Sequence, residues 1–502
     1  MKKRRRVIAG LLALAMAWAL CGCAQSAGPT TTAFETEAGS IATTEAATTA
    51  AAKEPETQSQ SQAVTADETV DVVVVGGGGA GMTTAIRLTE GGKKVILLEK
   101  QALLGGATSL AATYFVAVDT PVQKDAGLGM NIEEYVASSV AANPDMSAEN
   151  LTRLLERSEE SRQWLIGLGV DLTRPMSYYQ VGIGDGSSLG SALVAGLVPE
   201  MDRVGVDYRT ETRATEIIME DGKVAGVKAE GPDGVYTIYA KDVVLAAGGY
   251  AASPEMVSVY APEWSGVATT TAVGNVGDAF VMAEAVGASL SDMEVVRMNP
   301  AVYETDSGAA YSLSVARAEG GIMVNMEGER FCNDYYKDYT VMSREMLKQE
   351  GDYVYIVFDQ ASVDRSARLA GFGEKGFFLQ GDTLDELAGQ MGVPAENLTN
   401  TVERYRGFVD SGVDEDFGRD TAMGSRIDQA PFYAVRCRPG IQVTLGGIDV
   451  NGNMQVLNGD GEVIEGLYAV GECANDGLYG SGPTNINVTF GTLLAGYIIE
   501  NR

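Results

Sequence analysis

The chain has 502 residues, and its formal net charge of −31 comes from 68 acidic and 37 basic residues. So strong an acidic excess disfavours nucleic acid and anionic lipid as binding partners. The sequence contains no histidine. A Ser-His-Asp triad, imidazole metal sites and a c-type haem attachment motif are therefore excluded.

The first 22 residues have the pattern of a secretory signal peptide. A basic segment, residues 2–6, precedes an apolar run from Val7 to Leu20 that is too short for a comfortable membrane span. The run ends in Leu-Cys-Gly-Cys, which resembles a bacterial lipobox. We therefore expect lipidation of Cys23 and attachment to the extracytoplasmic face of the cell membrane through this anchor alone. The alternative is an ordinary signal peptide that is cleaved after Cys23.

Residues 23–69 predict a disordered linker. They are rich in Thr, Ala, Ser, Glu and Gln and contain almost no large apolar residues. Such a segment cannot bury enough apolar surface to offset its ordering entropy. We expect it to act as a tether only.

Residues 70–99 predict a strand, a glycine turn, a helix and a second strand. The first strand leads into a G-x-G-x-x-G sequence at Gly76, Gly78 and Gly81, and the second strand ends at Glu99. In such a unit the glycines allow a tight turn, a close approach of the backbone to a pyrophosphate, and close packing of helix on strand. The pyrophosphate would lie at the helix N-terminus, and Glu99 would bind a ribose hydroxyl. The pattern predicts dinucleotide binding; a glycine turn in another parallel sheet is the alternative.

Three later segments predict further close approaches of the backbone to the same cofactor. Residues 105–109 are small, residues 242–250 form an apolar strand that runs into paired glycines, and residues 466–472 form another strand that ends in Gly-Glu. A helix is predicted to begin near residue 485, where its dipole can act on the cofactor. The predicted cofactor-binding residues are Gly76, Gly78, Gly79, Ala80, Gly81, Glu99, Lys100, Gly106, Ala107, Thr108, Ala247, Gly248, Gly249, Asp278, Gly471, Glu472, Asn487 and Val488.

The cysteines beyond the processed N-terminus are Cys332, Cys437 and Cys473. Their wide spacing fits neither a zinc site nor an iron–sulfur cluster. We therefore predict buried, unreactive thiols and no metal site.

Taken in this order, the motifs resemble the flavoprotein subunit family of fumarate reductase and succinate dehydrogenase, in its soluble branch with non-covalent FAD. The resemblance covers about residues 70–500 and also rests on the sequences at 274–278, 321–331 and 444–447. It implies an α/β fold in which a Rossmann-like FAD-binding domain is interrupted by an α+β capping domain. The linkage of flavin through a histidine, found in respiratory succinate dehydrogenases, is excluded here because the chain has no histidine.

The resemblance also implies the domain boundaries. Residues 70–293 and 445–502 would form the FAD-binding domain, and residues 294–444 the capping domain. The substrate would bind between the cap and the flavin.

The substrate site departs from the pattern of the family members that reduce fumarate. Those members hold the two carboxylates with histidines and arginines and protonate carbon with an arginine. The resemblance places the two histidine positions at Asn299 and Val443, the substrate arginine near Pro483, and the acid at Lys337 or Asp338. A buried, unpaired carboxylate costs several kcal/mol, so we expect that fumarate is not the substrate.

A less charged acceptor with an activated C=C bond is predicted instead, reduced by hydride from FAD. The relay glutamate of the family falls on Ser314, and its relay arginine is kept as Arg317. Lys337 or a tyrosine would protonate the α-carbon. The candidate catalytic residues are Arg317, Tyr335, Lys337 and Tyr479, and the candidate substrate-binding residues are Asn299, Gln442 and Thr444.

Three alternatives stay open. The tyrosines at 335–339 can instead be packed surface residues of the cap. The sequence Tyr479-Gly-Ser-Gly weakly resembles a loop of the flavin-dependent ketosteroid dehydrogenases, which act on ring enones. The chain can also be a non-catalytic flavin protein that transfers electrons. Because no haem motif or iron–sulfur spacing is present, we expect an external electron donor: a partner protein, free flavin or a quinol.

Overall fold

The computed structural model describes residues 67–111, 114–144, 146–336, 338–478 and 486–502. Within these ranges the strands are β1 Glu68–Val75, β2 Val95–Leu98, β3 Phe115–Val116, β4 Arg174–Ser177, β5 Gln180–Gly182, β6 Asp207–Arg209, β7 Arg213–Glu220, β8 Lys223–Gly231, β9 Gly234–Leu245, β10 Ala268–Thr269, β11 Leu290–Ser291, β12 Val296–Glu304, β13 Ala310–Ser312, β14 Ile322–Val324, β15 Val354–Asp359, β16 Leu379–Gly381, β17 Phe432–Thr444, β18 Gly447–Asp449, β19 Gln455–Leu457, β20 Val463–Ala469 and β21 Ala474–Asn475.

The helices pack around these strands and follow the same chain order. They are α1 Gly79–Glu90, α2 Pro121–Asp125, α3 Ile132–Ala142, α4 Ala148–Gly167, α5 Leu189–Val204, α6 Pro254–Tyr260, α7 Asp278–Ala285, α8 Ser314–Ala318, α9 Tyr339–Leu347, α10 Gln360–Arg365, α11 Ala367–Glu374, α12 Leu384–Met391, α13 Ala395–Ser411 and α14 Asn487–Asn501.

The main sheet has a parallel centre. Its strand order is β19-β20-β9-β1-β2-β6, and the strands from β20 to β6 run parallel to one another. The antiparallel hairpin β7–β8 extends this sheet from β9. The strand–turn–helix–strand unit predicted for residues 70–99 is confirmed by β1, α1 and β2.

Both faces of the main sheet are buried. Val72 and Val74 of β1 belong to the core that also contains residues of α1, α5 and α14, whereas Val73 and Val75 belong to the core on the opposite face. A parallel sheet is normally covered on both sides, so its strands are continuously apolar rather than alternating. This explains why the first strand was readable from sequence.

The first strand begins two residues before residue 70, the predicted start of the FAD-binding domain. Glu68 and Thr69 pair with β9, and the carboxylate of Glu68 receives two hydrogen bonds from Arg209, at 2.9 and 2.8 Å. These partners are remote in sequence, so the composition of the linker could not indicate them.

A second sheet lies within the segment predicted for the cap. Its order is β13-β12-β17-β15-β14, and β10 and β16 also pair with β17. One face packs on α12 and α13, and the other packs on α9 and α11. Because β10 belongs to the segment predicted for the FAD-binding domain, its pairing with β17 connects the two segments directly.

The predicted fold class, an α/β FAD-binding domain with an α+β insertion, is confirmed. The predicted burial of Cys332, Cys437 and Cys473 is also confirmed. Burial raises the pKa of Cys437 and of Cys473 to about 12, so both thiols stay protonated. In the part of the chain that the structure describes, no helix has both the length and the apolar character needed to cross a bilayer.

Candidate functional site

The turn between β1 and α1 requires glycine because other backbone lies against it. Gly76 has φ of +112°, and a Cβ there would be 2.4 Å from the carbonyl oxygen of Ala246. A Cβ on Gly81 would be only 1.9 Å from the carbonyl oxygen of Gly76. The turn therefore leaves main-chain atoms, not side chains, at the start of α1.

A cleft of about 870 Å³ opens above this turn, at the carboxyl ends of the parallel strands. The structure brings together fifteen of the predicted cofactor-binding residues as its lining. These are Gly76, Gly78, Gly79, Ala80, Glu99, Lys100, Gly106, Ala107, Thr108, Ala247, Gly248, Asp278, Gly471, Glu472 and Asn487.

Three predicted cofactor-binding residues do not line the cleft. Gly81 instead packs against Gly76, and a Cβ on Gly249 would be 2.1 Å from the hydroxyl of Thr444. The side chain of Val488 is buried in the core beneath α14. At the start of α14, Asn487 is the residue that lines the cleft, and a role of Val488 in cofactor binding stays a prediction.

Side chains hold the cleft in shape. Glu99 accepts hydrogen bonds from the backbone amides of Gly77 and Gln101, each at 2.8 Å, and Thr108 accepts one from Gly79 at 2.9 Å. Within the described residues, the buried Oδ1 of Asn487 has no hydrogen-bond partner although Asn487 lines the cleft. Glycine-lined backbone and an unpartnered acceptor fit a bound dinucleotide that brings its own donors.

An ion cluster at the cleft includes a residue that sequence reasoning missed. The carboxylate of Asp278 forms ion pairs with Lys100 Nζ and Arg213 Nη2, both at 2.6 Å. All three residues line the cleft. Burial acts to raise the pKa of Asp278, but the hydrogen bonds from both cations hold it below the usual range. Arg213 lies in β7, far from the motifs, so no local signal identified it.

Glu472 is enclosed at the junction of two cavities. Its carboxylate accepts hydrogen bonds from the Thr444 amide at 3.1 Å and from Asn275 Nδ2 at 3.0 Å. Burial raises the pKa of Glu472 to about 7, because these donors only partly offset the loss of solvent. Asn275 was also missed, although it lies in the motif at 274–278.

The second cavity, about 390 Å³, lies between the end of β17 and the start of α14. It shares Gly471, Glu472 and Asn487 with the cofactor cleft, and Thr444 lines it as well. Of the predicted substrate-binding residues, Thr444 is thus the one that lines a cavity. Gln442 lies in β17 at a break in the register with β12.

Asn299 is held by its own neighbours. Its Oδ1 accepts hydrogen bonds from the Ala301 amide at 3.0 Å and from Ser314 Oγ at 3.2 Å. Ser314, at the relay glutamate position, therefore orients Asn299. Neither Asn299 nor Val443 brings a positive charge.

Arg317 and Tyr335 are brought together away from both cavities. Arg317 is 1% exposed, and its Nη1 donates to the carbonyl oxygen of Asp334 at 2.9 Å. Its guanidinium carbon lies 5.8 Å from the ring of Tyr335 and 5.1 Å from that of Tyr339. Among the described residues, Nε of Arg317 has no hydrogen-bond partner.

The remaining acid candidates have different outcomes. Lys337, Tyr479 and Pro483 lie outside the described residues. Asp338 is exposed, and its Oδ1 accepts hydrogen bonds from the amides of Thr340 and Val341 at the start of α9. It therefore acts as a helix cap, and its role as an alternative acid stays a prediction.

Arg297 was missed by sequence reasoning. It lies in β12, partly buried, and Tyr114, Tyr179 and Tyr339 act on it electrostatically. The only signal was its position two residues before Asn299, in a strand that otherwise looked apolar.

A cleft of this kind defines a dinucleotide-binding α/β protein. Residues 71–485 match the family model described as FAD binding domain. The chain belongs to this family, in the group of fumarate reductase and succinate dehydrogenase flavoproteins, and FAD is its cofactor. The family predicted from the motifs is confirmed.

The curated relatives act on C=C bonds. The chain is 31% identical over 451 residues to NADH:fumarate oxidoreductase of Klebsiella pneumoniae (strain 342), a match that covers 87% of this chain but 48% of that protein. It is 31% identical over 433 residues to urocanate reductase of Eggerthella lenta, with 81% of this chain and 70% of that protein covered. The chain thus spans about half the length of the first relative.

Two solved structures extend the comparison. An open flavocytochrome c3 fumarate reductase aligns with a TM-score of 0.77 at 30% identity, covering 87% of this chain and 79% of that one. A 3-ketosteroid dehydrogenase from Rhodococcus jostii RHA1 aligns with a TM-score of 0.66 at 25% identity, covering 87% and 98%. The family is one of FAD-dependent oxidoreductases of C=C and CH–CH bonds, and this chain is a member of it.

Proposed function

We propose that this chain reduces the C=C bond of an α,β-unsaturated acceptor of the enoate type, and that fumarate is not its substrate. The observation that carries the proposal is the lack of cations at the two traceable histidine positions. Asn299 is hydrogen-bonded to Ser314 and Ala301, and Val443 is apolar. A second carboxylate would therefore be buried without a charge-assisted partner, at a cost of several kcal/mol.

FAD would supply the hydride to the β-carbon. The chain's own residues would shelter the substrate and return a proton to the α-carbon, from Lys337 or from a tyrosine. The second option includes Tyr335, whose ring lies 5.8 Å from the Arg317 guanidinium carbon and 5.7 Å from that of Arg419. Because this pair lies away from both cavities, a proton from Tyr335 would have to pass through the Arg317 relay. Nearby positive charge stabilises the phenolate that remains after proton donation. Tyr479 would contribute from the loop over the flavin.

We propose further that the protein is a lipoprotein anchored through Cys23 on the extracytoplasmic face of the membrane. The basic and apolar segments before Cys23 support this. Electrons would come from an external carrier: a partner protein, free flavin or a quinol. Replacing Cys23 with Ala in the full chain should move it from the detergent phase to the aqueous phase; retention in the detergent phase would contradict the anchor.

A second candidate function is the oxidation or reduction of a ring enone. The similarity to the Rhodococcus ketosteroid dehydrogenase and the tyrosines around Arg297 and Arg317 favour it. The tyrosine hydroxyls of the protein would polarise the ketone of such a substrate. It would not require a cation.

The test is anaerobic reoxidation of the reduced flavin by a matched panel of acceptors. The panel contains fumarate, monocarboxylated enoates that include acrylate, cinnamate and urocanate, and uncharged ring enones. We expect a monocarboxylated enoate to exceed fumarate in kcat/KM by about 100-fold, since about 3 kcal/mol separates a paired from an unpaired buried charge. Fumarate as the best acceptor would overturn the proposal. Ring enones alone would establish the second candidate, and no reoxidation at all would indicate a non-catalytic electron carrier.

A further inference from the structure

Arg297 lies between the two positions from which the substrate histidines are missing. It is two residues before Asn299 in β12 and directly opposite Val443 in β17. Directly opposite residues of an antiparallel pair share a face, with Cβ atoms about 4.5–5.5 Å apart. Residues two apart on a strand also share a face. Arg297 therefore brings a guanidinium to the place where the family's fumarate reducers have histidines.

The adjacent residues on β12 place Arg297 next to the cofactor cleft. Val296 pairs with Thr444, whose amide donates to Glu472 at 3.1 Å, and Glu472 lines both cavities. Val296 and Met298 are buried in the core of the FAD-binding segment. Arg297 thus lies one residue beyond the cleft wall and on the other face of its strand.

Both parts of the molecule contribute tyrosines to the surroundings of Arg297. Tyr114 precedes β3 and Tyr179 precedes β5, and their rings meet edge to face at 6.0 Å. Tyr339 begins α9, which packs against β12 from the cap side. Tyr114 follows the cleft-lining turn that contains Thr108. Arg297 is therefore enclosed at the junction of cofactor side and cap.

This environment favours a planar anion. Burial lowers the pKa of Arg297, and the three tyrosines oppose that shift. Arginine nevertheless stays charged at neutral pH because of its very high intrinsic pKa. Tyr179 also stays protonated, since burial raises its pKa. Because a guanidinium has five N–H donors, Arg297 can keep a protein partner and still donate two parallel hydrogen bonds to a carboxylate.

We propose that Arg297 is the specificity-determining residue of this site and binds the carboxylate of an α,β-unsaturated monocarboxylate. The rest of the substrate is a flat body that packs against Tyr114, Tyr179 and Tyr339, because aromatic faces favour planar partners. One cation matches one carboxylate, which separates this substrate class from dicarboxylates. The inference rests on the proposed function and deepens it.

The experiment compares an enoate with its own primary amide, for example cinnamate with cinnamamide. The two probes differ in charge but hardly in shape. In the Arg297→Met holoprotein we expect kcat/KM for the carboxylate to fall by about 100-fold, mainly through KM, while kcat/KM for the amide changes by less than about 3-fold. Arg297→Lys keeps the positive charge but loses the paired N–H donors of the guanidinium. In this variant kcat/KM for the carboxylate should fall by about 10-fold.

The matched control is Arg436→Met. Arg436 is an exposed arginine on β17 whose guanidinium carbon lies 3.8 Å from the centre of the Tyr353 ring. Its replacement should leave both kcat/KM values unchanged. An equal loss for carboxylate and amide in Arg297→Met would show a merely structural role and overturn the inference. Arg297→Lys carries the test if the methionine variant does not fold.

A binding measurement separates this inference from the proposed function. The saturated acid and its amide are titrated into oxidised holoprotein, and the change in flavin absorbance gives Kd without turnover. We expect Arg297→Met to weaken binding of the acid by at least about 30-fold and that of the amide by less than about 3-fold. Equal Kd changes overturn the role of Arg297. A wild-type protein that binds the acid through Arg297 but reduces no enoate instead overturns the proposed function.

Discussion

The cofactor cleft is formed mainly by main-chain groups, whereas the region around β12 and α9 is formed mainly by side chains. The cleft is lined by glycines, small residues and main-chain amides, and a Cβ at Gly76 or Gly81 would collide with backbone. The region around β12 and α9 instead depends on arginine and tyrosine side chains, such as Arg297, Arg317 and Tyr339. A backbone site keeps one ligand because its shape tolerates few substitutions. A side-chain site can change its ligand through single substitutions.

The largest effect is expected at a buried ion cluster that is built from side chains and includes Asp334, the residue before Tyr335. Arg330 donates to Asp334 at 2.5 Å and to Asp414 at 2.7 Å, and these side chains are at most 4% exposed. Arg330→Met leaves Asp414 with backbone amides alone and Asp334 with an amide and the Arg419 guanidinium 3.5 Å away. It should destabilise the protein by about 3–5 kcal/mol in urea unfolding. Arg404→Met, at an exposed ion pair with Asp416, should cause no measurable change. Equal losses in both variants would contradict the importance of burial.

The next test addresses the backbone-built cleft. Gly81→Ala places a Cβ 1.9 Å from the Gly76 carbonyl oxygen. We therefore expect the free energy of unfolding to fall by about 3 kcal/mol and the protein to lose its bound FAD. Gly389→Ala is the matched control, because Gly389 is a helical glycine in α12 with no atom within 4 Å of the added Cβ. The free energy of unfolding of Gly389→Ala should rise by up to about 1 kcal/mol. Flavin absorbance and thermal melting measure both, and a Gly81→Ala protein that keeps its flavin would refute the packing argument.

A pH series sharpens the description of the junction between the two regions. The folded-state pKa of Glu472, about 7, lies above its ordinary value of 4.5, so the folded chain binds more protons in that range. The stabilising contribution of Glu472 is therefore complete below pH 4.5 and is lost as the pH rises to 7. The measurement compares the free energies of unfolding of wild type and Glu472→Gln after removal of FAD. The value for wild type minus that for Glu472→Gln should fall by roughly 2–3 kcal/mol from pH 4.5 to 7. A difference that is flat with pH would contradict the raised pKa.

The smallest expected effect concerns the ion cluster of Lys100, Asp278 and Arg213. Asp278→Asn removes the carboxylate that holds Lys100 and Arg213 in position in the cleft lining, so FAD should dissociate about 10-fold faster, equivalent to about 1.4 kcal/mol. Glu216→Gln makes the same chemical change at an exposed ion pair with Lys228 and should leave the rate unchanged. Stopped-flow transfer of FAD to an excess of an FAD-binding apoprotein measures both rates. An unchanged rate in Asp278→Asn would remove the cluster from cofactor retention.

The cleft was predictable because its signals are local. Gly76 and Gly81 lie five residues apart between an apolar strand and a helix, and their spacing alone indicates how closely the backbones approach. Glu99 was placed by its position at the end of the second strand. Val488 shows the limit of such signals: the start of a helix can be read from sequence, but which way its side chains point depends on the core that it meets.

The substrate region was less predictable because its contacts are remote in sequence. Arg297 interacts electrostatically with Tyr114 and Tyr179, which precede two short strands more than a hundred residues earlier. The helix-capping role of Asp338 could not be read from the tyrosine-rich run around it, because its two amide contacts form only when α9 does. Position relative to a family motif indicated where to look, not which side chains meet.

The amino-acid sequence by itself determined the dinucleotide-binding unit, the fold class and the chemistry that a chain without histidine cannot perform. Those properties depend on spacing within short segments and on residue types, which folding does not alter. The tertiary structure decided which cations lie near a substrate, how Glu472 is charged and which tyrosines surround Arg297. Such properties depend on burial and on contacts between distant segments, and these exist only once the two sheets have packed together.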